Sequence, residues 1–270
     1  MITSPYLLDS SRELERLRLQ SRVWEPAGRE LLGDIGDGRG LRALDVGCGA
    51  LGWLRLLSKW VGPGGSVVGT DVAPQLLDAA RALVVEDELH NVEVIEDDLF
   101  ASDLEPSSFD LVHARFQLAP IGREVEQLTA YVRWLRPGGI LVLEDPDSST
   151  WHLNPDAPAT TELIRLVLEA FRAGDGDFDA GRRLPDLLRS LGVAEPNIRA
   201  SVRALEPGHP YLRLPLQFAT SLEARLVPTL IAAEPLEWLR ADAEAELARP
   251  GSWGTTFTLV GAWGRIASRP

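Results

Sequence analysis

The stretch Ala43-Leu44-Asp45-Val46-Gly47-Cys48-Gly49-Ala50-Leu51-Gly52 decides the fold. An apolar segment reaches an acid two residues before Gly47, and a glycine-rich turn follows. Trp53 to Val61 then continues with the apolar spacing of a helix. Strand, glycine loop and helix in this order open a nucleotide-type cofactor site. Glycines there let the backbone come close to a ligand that a side chain would strike. Asp45 bears on which cofactor that is.

Gly47, Gly49 and Gly52 satisfy the pattern G-x-G-x-x-G. A second strand, Ser66-Val67-Val68-Gly69-Thr70, ends at Asp71, about 20 residues on, where a ribose-binding acid is expected. Three later segments narrow the choice between a nicotinamide site and its alternatives. Val92 to Leu99 reads as a third strand ending in acids, and Ser108 to Ala114 as a fourth. Leu135-Arg136-Pro137-Gly138-Gly139 reads as a turn that feeds a fifth, Ile140 to Glu144.

Taken with Leu44 to Gly49, this series resembles the class I S-adenosylmethionine-dependent methyltransferases. The nearest branch is the ubiquinone/menaquinone-biosynthesis-like group of small-molecule enzymes. The resemblance covers about residues 10 to 147 and the last strand. It departs locally, because Ala50-Leu51-Gly52 stands where the family has a small residue and then glycine, which leaves the role of Gly52 open. The fold it implies is α/β: a Rossmann-like, doubly wound, seven-stranded, mostly parallel sheet. N-terminal helices and an inserted helical cap complete it.

The expected organisation is an N-terminal helical segment over the cofactor at 1–40, a core at 41–206 and 250–270, and a cap at 207–249. Helices are expected at 10–33, Pro74 to Leu89, Glu124 to Leu135, Thr160 to Phe171, Leu184 to Leu191, Tyr211 to Ile231 and Leu236 to Leu247. Ile198 to Leu205 and Thr255 to Trp263 read as strands. The cap is either a roof over a pocket or a surface for a homodimer. Ala173 to Asp179, rich in glycine and aspartate, reads as a solvated loop, since the EF-hand spacing and its closing glutamate are missing.

The resemblance assigns cofactor roles residue by residue. Gly47 and Gly49 bring backbone against the methionine part, and Asp45 supports the loop or the amino group. Asp71 accepts from both ribose hydroxyls, and Val72 packs on the adenine. Asp98, with Asp97 as the competing assignment, accepts from the adenine amino group, beside the N–H of Leu99. Ala114 and Arg115 hold the amino-acid end. For catalysis the candidates are His152, Asp147 and Arg115, because sites in open α/β sheets lie beyond the carboxyl ends of the strands. His113 and His209 are further candidate bases, since histidine as a residue type titrates near neutral pH, but His113 in a strand reads first as a satisfied buried histidine. Gln117, Trp151 and Phe218 are the candidate acceptor-binding residues. No carboxylate triad marks the metal-dependent type, and no metal is expected.

The formal net charge of −13 disfavours a partner that carries phosphates, so no nucleic acid is expected. Cys48 is the lone cysteine, which excludes an internal disulfide and a cysteine zinc cluster. No apolar run approaches the roughly 18 residues that would cross a bilayer, and no membrane role is expected. Met1 to Tyr6 lacks a basic region and an apolar signal core, so a cytoplasmic protein is expected. The activity implied is methyl transfer from S-adenosylmethionine to a small-molecule acceptor, in secondary metabolism. Oxygen is the favoured acceptor atom, with carbon and nitrogen open. The alternatives are a cofactor-binding protein without methyl transfer and an NAD-dependent oxidoreductase.

Overall fold

The computed structural model describes residues 11–50 and 52–267. The first ten residues of the expected N-terminal segment, Leu51 of the glycine run and residues 268–270 lie outside them. A long helix, α1 (Ser11–Ile35), precedes the first strand, β1 (Arg42–Val46). Alternation then follows: α2 (Leu54–Val61), β2 (Ser66–Asp71), α3 (Pro74–Glu86), β3 (Val92–Glu96) and β4 (Phe109–Arg115). Next come α4 (Leu118–Ile121), α5 (Glu124–Trp134) and the long β5 (Leu135–Asp147). The second half holds β6 (His152–Asn154), α6 (Pro158–Arg172), α7 (Leu184–Ser190), β7 (Asn197–Ser201) and β8 (Ala204–Leu205). The cap segment contributes α8 (Leu214–Ser221), α9 (Glu223–Leu226) and α10 (Ala233–Leu247), before β9 (Trp253–Thr255) and β10 (Thr258–Arg265).

Seven strands form the main sheet in the order β3-β2-β1-β4-β5-β10-β7. β3 to β5 pair in parallel, and β10 runs antiparallel between β5 and β7. Helices cover both faces, so Leu44, Val46, Leu111, Val112, Leu141 and Leu143 are all buried. That is why these strands read as unbroken apolar runs. The strand order reverses between β1 and β4, and a crevice opens at their carboxyl ends.

Three expected elements are broken by the structure. Ile198 to Leu205 is two strands, because the chain leaves the main sheet after Ser201 and β8 joins a second sheet, β6-β9-β8. A backbone bond from Thr256 N to Arg203 O and a bond from Arg203 N to Thr256 Oγ1 hold that crossing. Thr255 to Trp263 likewise divides into β9 and β10. Tyr211 to Ile231 is a 3-10 turn at 210–213 followed by α8 and α9, not one helix. Pro215 suits the start of α8, and Pro228 cannot continue α9, since it has no N–H to give and its ring meets the preceding turn.

The cap shares a core with the rest of the chain. Leu214, Leu222, Leu226 and Leu236 pack with Trp24 of α1, Leu163 and Val167 of α6, and Phe257. The start of α6 has no side-chain cap of its own. Glu246 of α10 supplies one from a distance, accepting from Ala159 N (2.9 Å), Thr160 N (2.8 Å) and Thr160 Oγ1 (2.7 Å). No described helix is long and apolar enough to cross a membrane.

Candidate active site

A cavity of about 420 Å³ occupies the crevice, between the glycine loop, α1 and α8. One half is polar. Cys48 N donates to Thr70 O (2.8 Å), which ties the loop to the end of β2. Asp71, on the next residue, accepts from Gly49 N through Oδ2 and from Ala73 N through Oδ1, both at 3.0 Å. Burial raises its carboxyl above the usual range, with the backbone N–H groups opposing the shift. Gly49 has φ +58° and open space where a Cβ would stand. Gly52 is required for another reason. At φ +37°, an added Cβ would lie 2.4 Å from Cys48 O and 2.5 Å from Asp45 Oδ2.

Val72, Asp97, Asp98 and Leu99 continue the polar wall. Asp98 Oδ1 accepts from Phe100 N at 2.9 Å. Asp97 Oδ2 is buried and has no hydrogen-bond partner among the described residues. Arg115, at the end of β4, donates from Nη2 to Gly52 O at 3.4 Å, while its buried Nη1 has no such partner. Gln117 donates to Gly47 O at 3.5 Å and lies flat against that glycine, at the cavity wall.

The other half is aromatic. Phe116, Phe171, Phe178, Phe218 and Phe257 line it, with Leu222. Phe178 meets Phe171, Phe218 and Phe257 edge to face, with centroids 5.1, 5.9 and 5.1 Å apart. Arg16 of α1 stands where the halves meet. It donates to Glu13 Oε2 and Gln20 Oε1, both at 2.9 Å, and its Cζ lies 5.1 Å from the Phe218 centroid.

Several expected site residues are elsewhere. Asp45 lies beneath the loop rather than in the cavity, with Oδ2 accepting from Trp53 N at 2.9 Å and Oδ1 2.7 Å from His113 Nδ1. Its contact with Trp53 N lies where the loop turns into α2. Ala114 is buried in the sheet core and does not line the cavity. His152 is an exposed residue of β6, 3.4 Å from Thr255 Oγ1, outside the cavity. β5 runs three residues beyond Glu144, and a 3-10 turn at 148–150 then carries the chain into the second sheet. Asp147 is turned the same way and accepts from Arg182 (2.7 Å) and Ser149 N (2.9 Å). Trp151 is buried behind the wall, stacked on Phe178 at 5.3 Å, so it supports the chamber without lining it. Asp145 also sits behind the wall, holding Ala119 N at 2.9 Å, and burial pushes its carboxyl up to about 8.

Phe178 and Phe257 gave no signal in the sequence. Phe178 belongs to the glycine–aspartate segment expected to be solvated, yet it is buried, and Asp177 and Asp179 are paired to arginines. Phe257 falls in the break between β9 and β10.

Residues 43–139 match the model of a methyltransferase domain family, Methyltransf_25. The chain is 33% identical over 131 residues to demethylmenaquinone methyltransferase of Staphylococcus aureus strain JH9, a match over 48% of this chain and 52% of that protein. The chain thus spans about half the length of the curated relatives it matches. Its fold is that of an S-adenosylmethionine-dependent methyltransferase from Aquifex aeolicus, with a TM-score of 0.56, 18% identity, and coverage of 96% of this chain and 100% of that one. It is also similar to Haemonchus contortus phosphoethanolamine N-methyltransferase 2, solved with phosphomonomethylethanolamine and S-adenosylhomocysteine. There the TM-score is 0.50 at 16% identity, over 86% of this chain and 49% of that chain. Residues 43–139 thus match a methyltransferase domain, and the whole chain is similar in fold to S-adenosylmethionine-dependent methyltransferases.

Proposed function

We propose that this protein transfers the methyl group of S-adenosylmethionine to a small-molecule acceptor with an apolar or aromatic body. The observation that carries the reading is the division of one cavity into a polar half at the glycine loop and an aromatic half under the cap. The polar half fits the cofactor. Asp71 keeps lone pairs for two hydroxyls after serving Gly49 and Ala73. The unpartnered Arg115 Nη1 suits the carboxylate of an amino acid. Gly49 leaves room for close backbone approach. Asp98 or Asp97 would take the adenine amino group, with Val72 and Leu99 against the ring.

Bound S-adenosylmethionine supplies an electrophilic methyl group on a sulfonium, with a good thioether leaving group. The protein's share is then orientation and exclusion of water. Phe218, Phe178 and Phe257 hold an apolar acceptor against the polar half, and Gln117 stands at the boundary. The cap at 207–249 roofs the chamber through Phe218, Ser221 and Leu222. Oxygen is the acceptor atom we favour, in a tailoring step on a secondary metabolite in the cytoplasm. The net charge of −13 supports a partner other than nucleic acid.

Incubation with methyl-labelled S-adenosylmethionine and a panel of aromatic hydroxyl, amine and carbon acceptors tests the proposal. Labelled product from an apolar aromatic acceptor is the expected result. Tight cofactor binding with no product from any acceptor would favour a cofactor-binding protein, and binding of NAD alone would overturn the reading.

A further inference from the structure

Three central strands place ionisable side chains side by side under the glycine loop. His113 of β4 pairs in register with Asp45 of β1, and Glu144 lies on β5 at the other side. His113 Nδ1 is 2.7 Å from Asp45 Oδ1, and Nε2 is 3.2 Å from Glu144 Oε2. All three residues are at most 2% exposed. A carboxylate only accepts, and a neutral imidazole carries a single N–H. With both carboxyls ionised, only the imidazolium satisfies both contacts. One face of the ring is covered by the indole of Trp53, with centroids 3.7 Å apart and planes at 17°.

Asp45 links this cluster to the loop. While Oδ1 meets the histidine, Oδ2 accepts from Trp53 N at 2.9 Å, where the loop turns into α2. That same Oδ2 lies 2.5 Å from the position of a Cβ on Gly52, so the loop closes tightly around it. None of Asp45, His113 and Glu144 lines the cavity, whereas Gly47, Cys48, Gly49, Ala50 and Gly52 do. Any effect of the cluster on a ligand therefore passes through the loop.

We propose that His113 is a positioning residue: clamped between Asp45 and Glu144, it fixes Asp45 against the backbone of the glycine loop and so sets the affinity for the cofactor. The inference rests on the cofactor reading above. The ionisable groups facing the ring are Asp45 from β1 and Glu144 from β5, and Trp53, just before α2, offers its indole. In the loop beside Asp45, burial and then the charges of Asp45 and Asp71 hold the Cys48 thiol well above its usual range, so it stays neutral. Burial alone would lower the histidine, but the hydrogen bonds to Asp45 and Glu144 outweigh it and hold His113 above its ordinary range. The charged clamp is complete at low pH and is lost as pH rises through that raised value.

The test is calorimetric titration of the full chain with S-adenosylhomocysteine from about pH 6 to about pH 10, with thermal melts as a check on folding. The ligand's own amino group titrates identically in every variant, so the differences between variants are read. Wild-type affinity should fall about tenfold or more above the ordinary histidine range, the loss of at least one charge-assisted contact. His113→Gln should bind weakly throughout, without that break. Glu144→Gln, which removes one of the two carboxylates that favour the proton, should move the break to lower pH. If His113→Gln does not fold, the displaced break in Glu144→Gln carries the test. Wild type and Glu144→Gln with the same pH profile would overturn the role of His113. Absence of S-adenosylhomocysteine binding by wild type at every pH would instead overturn the cofactor reading.

Discussion

Replacing Asp71 with asparagine changes one oxygen and removes one charge. In the native site each carboxylate oxygen already serves a backbone N–H, Gly49 at 3.0 Å and Ala73 at 3.0 Å. Asparagine has one acceptor oxygen, so its amide nitrogen must face one of these donors. If the oxygen stays with Ala73, the Gly49 N–H loses its partner and the cofactor hydroxyls lose an ionised acceptor. A hydrogen bond to a charged group contributes about 1.5–3 kcal/mol. A net loss of about 2–3 kcal/mol in cofactor binding corresponds to a roughly 30- to 150-fold rise in Kd. Calorimetry with S-adenosylhomocysteine at neutral pH measures it, and circular dichroism checks that the variant folds. The pH dependence adds a second measurement. Because burial raises the Asp71 carboxyl, wild-type affinity should weaken as pH falls through that raised value, at a higher pH than an ordinary aspartate would give. The asparagine variant should lack this phase. A folded Asp71→Asn protein with a Kd within about threefold of wild type, a difference under about 1 kcal/mol, would refute the assignment.

Three further outcomes follow from particular contacts. Gly52→Ala places a Cβ 2.4 Å from Cys48 O at φ +37°; strain of about 1–3 kcal/mol should lower the melting temperature and weaken cofactor binding about tenfold or more. Phe218→Ala opens the aromatic half of the cavity, so acceptor turnover at fixed concentration should fall at least about tenfold while the Kd for S-adenosylhomocysteine changes less than about threefold; equal losses in both would place Phe218 in the general core. Glu246→Ala leaves the N–H groups of Ala159 and Thr160 without their acceptor and should cost about 2 kcal/mol in urea unfolding. Burial opposes the charge of Glu246, but Thr160 and the two backbone N–H groups hold its carboxyl below the ordinary range. The stabilisation is therefore present above the ordinary glutamate range and should fade as pH falls through the depressed value.

The parts of the site that sequence reveals are those made by local backbone. Gly47 and Gly49 follow directly on a strand, and Asp71 ends the next one, so strand period and spacing alone bring them to the cavity. Phe218 was legible because Leu214, Phe218 and Leu222 repeat at helical spacing, and two of the three line the cavity. His152 stands away from the cavity because its position depends on β6 pairing with β9, about a hundred residues away in sequence. Asp147 went the same way, since the length of β5 is set by its antiparallel partner β10. Trp151 lies next to the chamber but one layer behind it, a difference decided by the rings packed in front of it. Phe178 stands among glycines and aspartates whose composition suggests solvent, and its burial comes from Trp151, Phe218 and Phe257, which other elements bring against it. Nothing in a one-dimensional pattern records such distant partners.

The strand order β5-β10-β7 also has a consequence during synthesis. A domain folds as a unit, while its N-terminal segments leave the ribosome first. The five parallel strands and the glycine loop are complete once Asp147 has been made. From then until β10 appears, the outer edge of β5 has no partner, and its apolar residues Ile140, Leu141, Val142 and Leu143 flank an open row of N–H and C=O groups. Phe257, β10 and the Glu246 brace on α6 all arrive in that last stretch. Synthesis therefore supplies every strand beside the polar half of the cavity before the last segments of its aromatic half. During that interval it depends on whatever shields an unpaired sheet edge in the cell.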